Sequence, residues 1–237
     1  MQDISRRGFV ISTVAAGAAI GGSVMLALSV LIGPAQAQRP PSQFPNMTFF
    51  ITSIGGPDGA NFGGIEGADR HCSALATKAG AGSKTWRAYL STQGTAGKPA
   101  INARDRIGKG PWVNVKGEQI AANVGELHSD KNKIDRLTGL SDRGRRIPSR
   151  LYVVNQHDIL TGSTPDGRAF PPGEDMTCGN WTKNGAGKAQ IGHFDRMSGR
   201  TGPLAKSWNS AHGSRGCSLE LLIKSGGAGL IYCFAAN

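Results

Sequence analysis

The chain is short of acids and of aromatic side chains. It has 16 Asp plus Glu against 27 Lys plus Arg, and Phe, Trp and Tyr together make up 6%. The acid deficit leaves a formal charge of +11, which favours solubility and attraction to polyanions. Few aromatics and 35 glycines suit a loop-rich fold better than a helical bundle. Local chemical signatures are also missing. There is no His-Glu-x-x-His or Cys-x-x-Cys, so the spacing of His71, His128, His157, His193 and His212 points to no metal site and no cofactor. No Gly-x-Ser-x-Gly nucleophile elbow is present. Asp105 and Asp142 have basic neighbours, which keep carboxylates ionised and argue against a raised-pKa acid. No nucleic-acid motif and no internal repeat are found.

The N-terminus carries an export pattern. Ser5-Arg-Arg-Gly-Phe-Val10 is a twin-arginine motif, the run from Val10 to Ile32 is apolar, and Pro34-Ala-Gln-Ala37 offers a cleavage site. The expected organisation is a twin-arginine signal over 1–37, a proline-rich linker over 38–47 and one domain over 48–237. An uncleaved segment would instead be a membrane anchor, since its apolar run is long enough to span a bilayer. The first 37 residues carry a net +1, so the rest carries +10 of the formal +11. Periplasmic or secreted localisation of a bacterial protein is the expectation.

Four cysteines in an exported chain read as two disulfides, with three possible pairings. The favoured pairing is Cys72–Cys233, which ties an opening helix to a closing strand, with Cys178–Cys217, which closes the loop carrying Trp208-Asn209. Ile65, Ala68, Cys72, Leu75, Ala76 and Ala79 recur at helical spacing, with Gly80 as a stop. Strands are expected over 47–53, 85–90, 110–115 and 118–121, the last two joined at Lys116-Gly117. Residues 101–107 suggest a short helix. Leu151-Tyr-Val-Val154 reads as a strand, 182–207 as mostly loop, and 217–223 with 230–235 as a closing hairpin.

These segments together resemble endostatin. The resemblance is carried by Gly63-Gly-Ile-Glu-Gly-Ala-Asp-Arg-His-Cys72, Thr85-Trp-Arg-Ala-Tyr-Leu-Ser91, Ala103-Arg-Asp-Arg106, Val113-Asn-Val-Lys116, Gly162-Ser-Thr-Pro-Asp-Gly-Arg168 and Cys178-Gly-Asn-Trp181. It covers about residues 48–237. It implies an α+β, C-type-lectin-like fold with two short helices, twisted antiparallel sheets, long loops and two nested disulfides. Trp208-Asn209 also resembles the Trp-Asn-Asp element of calcium-dependent lectins, but Ser210 stands where a carboxylate is needed. Calcium-dependent sugar binding is therefore not expected. Endostatin's zinc site uses histidines at its extreme N-terminus, and residues 38–50 here contain none.

Two sets of residues are candidates for binding. Lys131, Lys133, Arg136, Arg143, Arg145, Arg146 and Arg150 form a basic stretch whose forks suit sulfate, phosphate and carboxylate. The resemblance implies binding of heparin-like acidic glycans there. Against that, Asp130, Asp135 and Asp142 are available as local partners. The second set is His193, Asp195, Trp208, Asn209 and His212, which would line a polar pocket with an aromatic platform. The alternative for these is a structural role, with Trp208 packed near the disulfide. The reading is a non-catalytic, lectin-like binding module for carbohydrate, a polyanionic glycan, or an extracellular or envelope protein. Nucleic acid is not expected as a partner, and a membrane only if the N-terminal segment stays uncleaved. The rivals are a hydrolase using His193, Asp195 and His212, and a membrane-anchored structural protein of the envelope.

Overall fold

Strand β8 (Gly227–Ala235) is the axis of the fold. The structure is a computed structural model that describes residues 43–199 and 201–236; the expected signal over 1–37 lies outside the described residues. β8 alternates strictly between two cores. Ile231, Cys233 and Ala235 face one apolar cluster, and Leu230, Tyr232 and Phe234 face the other. A strand buried on both faces reads as a continuous apolar run, which is what Leu230–Ala235 is.

Two short strands flank the C-terminal half of β8. β1 (Phe49–Ile51) and β2 (Trp86–Ala88) both pair antiparallel with it, Phe50 and Ala88 each opposite Cys233. Helix α1 (Ile65–Lys78) lays Ile65, Ala68, Cys72, Leu75 and Ala76 on the first core, as its apolar spacing predicts. The disulfide Cys72–Cys233 fastens that helix to β8. Helix α2 (Ala103–Arg106) is a single turn, and its Arg106 forks onto the buried Asp69 of α1 at 2.7 and 3.0 Å. The expected hairpin is present as β3 (Trp112–Val113) and β4 (Gln119–Ala121), followed by the one-turn α3 (Val124–Leu127).

The other half of the sheet holds the functional region. β5 (Asp158–Leu160) runs parallel to the start of β8, a correction to the all-antiparallel expectation. β6 (Gln190–His193) pairs antiparallel with β5, and β7 (His212–Gly213) pairs antiparallel with β6. Between β5 and β6, α4 (Cys178–Trp181) is one turn wound left-handed, with positive φ at all four residues. Cys178–Cys217 closes this region.

Two further local expectations are corrected. Leu151–Val154 is not a strand: it is an exposed turn, closed at its neck by the Gln156 amide donating to the Pro148 carbonyl at 3.0 Å. β-rich composition makes no strand where no partner strand lies alongside. Residues 182–207 are mostly loop, as expected, with β6 inside them. Residues 217–223 do not form a hairpin strand. They enter α5 (Leu219–Ser225), capped by the Ser218 hydroxyl accepting from the Leu221 amide and stopped by Gly226 in the left-handed region. The two-helix expectation thus gives way, among the described residues, to α1, α5 and three single turns. The coarse class holds: α+β, short helices, twisted sheets and two disulfides.

Candidate metal centre

The sheet register brings four distant residues together. Asp158 on β5 sits directly opposite His193 on β6. Ile191, two residues back on the same face of β6, sits opposite His212 on β7. With a side-chain period of two, Asp158, His193 and His212 all project from one face. Further along that face Leu160 and Ile191 belong to the first core. The apolar layer therefore ends in a polar cluster at the end of the sheet. β6 approaches the 207–210 segment so closely that a Cβ on Gly192 would lie 1.8 Å from the Trp208 carbonyl oxygen. Only glycine allows that approach.

His157 joins from the residue before β5. Its Nδ1 donates to Asp195 Oδ1 at 3.1 Å. The Asp195 carboxylate is also an acceptor for the Arg150 amide at 2.9 Å and the Met197 amide at 3.0 Å. Burial alone would raise the Asp195 pKa, but these hydrogen bonds outweigh it and hold the carboxyl below its usual range. His193 Nδ1 donates to the Ala205 carbonyl at 2.8 Å, and His212 Nδ1 to the Gly213 carbonyl at 3.0 Å. Carbonyl and ionised carboxylate oxygens only accept. Each Nδ1 therefore carries a proton, which leaves Nε2 as the atom that each ring turns to the cluster.

All three Nε2 atoms converge on Asp158. His157 Nε2 and His193 Nε2 lie 3.1 and 3.3 Å from Oδ1, and His212 Nε2 lies 3.8 Å from Oδ2. Asp158 is 2% exposed, yet among the described residues neither of its oxygens has a hydrogen-bond partner, and neither has His193 Nε2. The pairs are close in distance but not aligned as hydrogen bonds. Buried polar atoms of this kind are rare and need an explanation. One candidate ligand atom from each of His157, Asp158 and His193 lies within 4.8 Å of the other two. Zinc bonds of about 2.0–2.1 Å at tetrahedral angles separate ligand atoms by about 3.3–3.4 Å. The observed spacings of 3.1, 3.3 and 3.8 Å bracket that edge. The His157 and His193 rings stack 4.2 Å apart and within 12° of parallel. An ion bound to both nitrogens would tilt one of them.

Above the cluster opens a cavity of about 300 Å³, lined by the three histidines and by Arg150, Arg215 and Ser225 among others. A second cavity, of about 320 Å³, shares His193, Ser198 and His212 with it.

The expected site residues divide clearly. His193, Asp195 and His212 do come together, although Asp195 orients His157 and does not face the cavity as a pocket carboxylate. Trp208 supplies no aromatic platform. It is buried against Tyr89, His128 and Tyr232. Asn209 is also structural, its amide donating to the Tyr89 hydroxyl and to the Thr164 and Pro165 carbonyls. Burial pushes the Tyr89 phenol up and the His128 imidazole down, as befits core groups. All seven residues of the basic stretch are exposed, and only Arg150 of them lines the cavity. Asp158 and Arg215 were invisible as site residues in the sequence. The adjacent pair His157-Asp158 was the one local hint. In comparisons with known proteins, the chain matches no family model and no curated protein.

Proposed function

We propose that this chain is an exported binding module whose functional centre is a transition-metal site formed by His157, Asp158 and His193, with His212 beside it. Zn²⁺ is the first choice, because neutral imidazoles with one carboxylate suit a borderline-soft dication better than calcium, which takes oxygen ligands. The observation that carries the reading is the buried Asp158 carboxylate, without a hydrogen bond among the described residues, facing the Nε2 atoms of three histidines. Lone pairs facing a carboxylate repel one another; a dication among them turns every contact attractive. The hydrogen bonds at each Nδ1 are the outer-shell contacts that fix tautomer and ring orientation in metal sites. Three protein ligands would leave the ion a fourth position, and the partly exposed His212 borders the cavity on that side.

A C-type-lectin-like, endostatin-like fold is the finer reading of this α+β domain. Its support is the order of the sequence motifs and the helix-to-closing-strand disulfide nested around a second one. Periplasmic or secreted localisation is supported by the two disulfides and the twin-arginine motif. Among the described residues, no helix is long and apolar enough to cross a membrane.

The test is metal binding by the oxidised full chain. After stripping with chelator, titration with zinc should give one ion per chain by calorimetry and a rise in melting temperature. Saturation at about 1,000 times Kd adds about 4 kcal/mol. Changing His157 and His193 together to Ala should weaken zinc binding at least 100-fold. Zinc lost on gel filtration, or equal affinity in the variant, would refute the site.

A second reading, polyanion binding at the basic stretch, has its own observation. Two of the nearby acids are occupied elsewhere: Asp142 accepts from the Ser53 amide and hydroxyl, and Asp135 from the Leu137 and Thr138 amides. Arg143 reaches Asp142 only at 3.9 Å. Arg143, Arg145 and Arg146 changed together to Ala should weaken heparin binding at low salt. Stability should stay nearly unchanged, since exposed substitutions cost about 0.5 kcal/mol or less each. Unaltered heparin retention would leave this stretch as merely solvated.

A further inference from the structure

The charges around the cavity do not balance once the centre holds its ion. Two carboxylates, Asp158 and Asp195, match a dication. No carboxylate is among the residues that line the cavity, but Arg150 and Arg215 are. Neither guanidinium has a hydrogen bond or an ion pair among the described residues, although both main chains are anchored. The Arg150 amide donates to Asp195 Oδ2 at 2.9 Å, and the Arg215 amide to the Ser225 hydroxyl at 2.9 Å. Asp195 thus holds, with one carboxylate, both the His157 ring and the start of the Arg150 arm. Two arginines lining one polar cavity focus a positive field there, and an oxyanion is the counter-charge that guanidinium forks pair with.

We infer that the ligand of this centre carries an oxyanion, a carboxylate, sulfate or phosphate, seated between the metal ion and the guanidiniums of Arg150 and Arg215. This rests on the metal reading above. An oxyanion suits both partners, since it gives an oxygen to the ion and accepts paired N–H donors from an arginine fork. The ligand is larger than a bare anion. The cavity of about 300 Å³ has room for roughly ten waters at liquid density. The second cavity shares His193, Ser198 and His212 with it, and there Pro203, Leu204 and Ala205 form a less polar wall. The anionic head lies on the arginine side, and a neutral remainder of the ligand lies along that wall.

The experiment uses the zinc-loaded full chain, with bound zinc measured on the same sample. Inorganic phosphate, sulfate, glucuronate and glucose are titrated by calorimetry. At least one oxyanion should bind at one per chain, and glucose should not. Tighter binding of glucuronate than of inorganic phosphate identifies an acidic sugar as the source of the oxyanion; the reverse identifies a phosphate. Changing Arg150 and Arg215 together to Ala should weaken the anion at least tenfold with zinc content unchanged. Lysines at both positions should restore part of the loss. Zinc retained with no oxyanion bound, or equal binding by the double-Ala protein, overturns this inference and leaves the metal reading standing. Equal anion binding by zinc-free protein also overturns it, because the ion is then no part of the site. Failure to retain zinc overturns the metal reading itself.

Discussion

Changing Cys72 and Cys233 together to Ala should lower the unfolding free energy by about 5 kcal/mol. The pair is 161 residues apart, and the chain-entropy relation for a cross-link of that span gives about 5 kcal/mol, against about 4 for the 39-residue span of Cys178–Cys217. Both cysteines of the long bridge are fully buried, one on the inner face of α1 and one in the middle of β8. No other covalent link joins that helix to the sheet. Natural single domains have only about 5–15 kcal/mol in total, so this variant should be close to unfolding at 37 °C. Denaturant titration of oxidised wild type and variant measures the difference. A loss under about 1 kcal/mol would mean that packing, not the bridge, holds α1. The two bridges also separate stability from the site. The span from Cys178 to Cys217 contains His193 and the neighbouring His212. Breaking that bridge should therefore weaken zinc binding, and breaking the long one should leave the affinity of the folded fraction unchanged.

How far the sequence could be read depended on how local each signal was. α1 was visible because Ile65, Ala68, Cys72, Leu75 and Ala76 repeat at the period of a helix, and the β3–β4 hairpin because Lys116-Gly117 is a tight-turn pair. Both disulfides followed from where the cysteines fall relative to those elements. α5 carried local signals too: Ser218 as cap, Glu220 in the first turn, Lys224 in the last and Gly226 as stop. Its Leu-Leu-Ile run read as strand because a short apolar run is ambiguous between helix and sheet. Beyond the adjacent pair His157-Asp158, the metal centre has no local signature. It depends on Asp158 facing His193 across β5–β6 and on β7 joining at Ile191. A shift of one residue in either register would send these side chains to the opposite face. Trp208-Asn209 drew attention by motif, yet Trp208 belongs to an aromatic core and Asn209 to its polar edge.

Asp158→Asn should stabilise the metal-free protein and destabilise the zinc-loaded one. On the metal reading, the carboxylate without its ion is buried with no hydrogen bond among the described residues, faced by three imidazole Nε2 atoms. Uncompensated buried charge costs several kcal/mol. Asparagine keeps the shape, removes the charge and brings an amide N–H₂ that donates to His157 Nε2 or His193 Nε2. A gain of roughly 1–3 kcal/mol is expected in chelator, the scale of satisfying buried polar groups. At about 2–4 °C per kcal/mol for a domain of this size, the melting temperature should rise by several degrees. With zinc the order reverses. Wild type gains the full binding free energy by mass action, while the variant has lost its only anionic ligand and gains much less. The two melting curves should therefore cross between chelator and saturating zinc. A site held together by ordinary imidazolium–carboxylate pairs predicts the opposite: removing the one carboxylate would leave cationic rings unpaired and lower stability in both conditions. A variant less stable than wild type in chelator would sink the metal reading of Asp158. A higher melting temperature in chelator, falling below wild type in zinc, is an outcome that no purely structural role for the cluster produces.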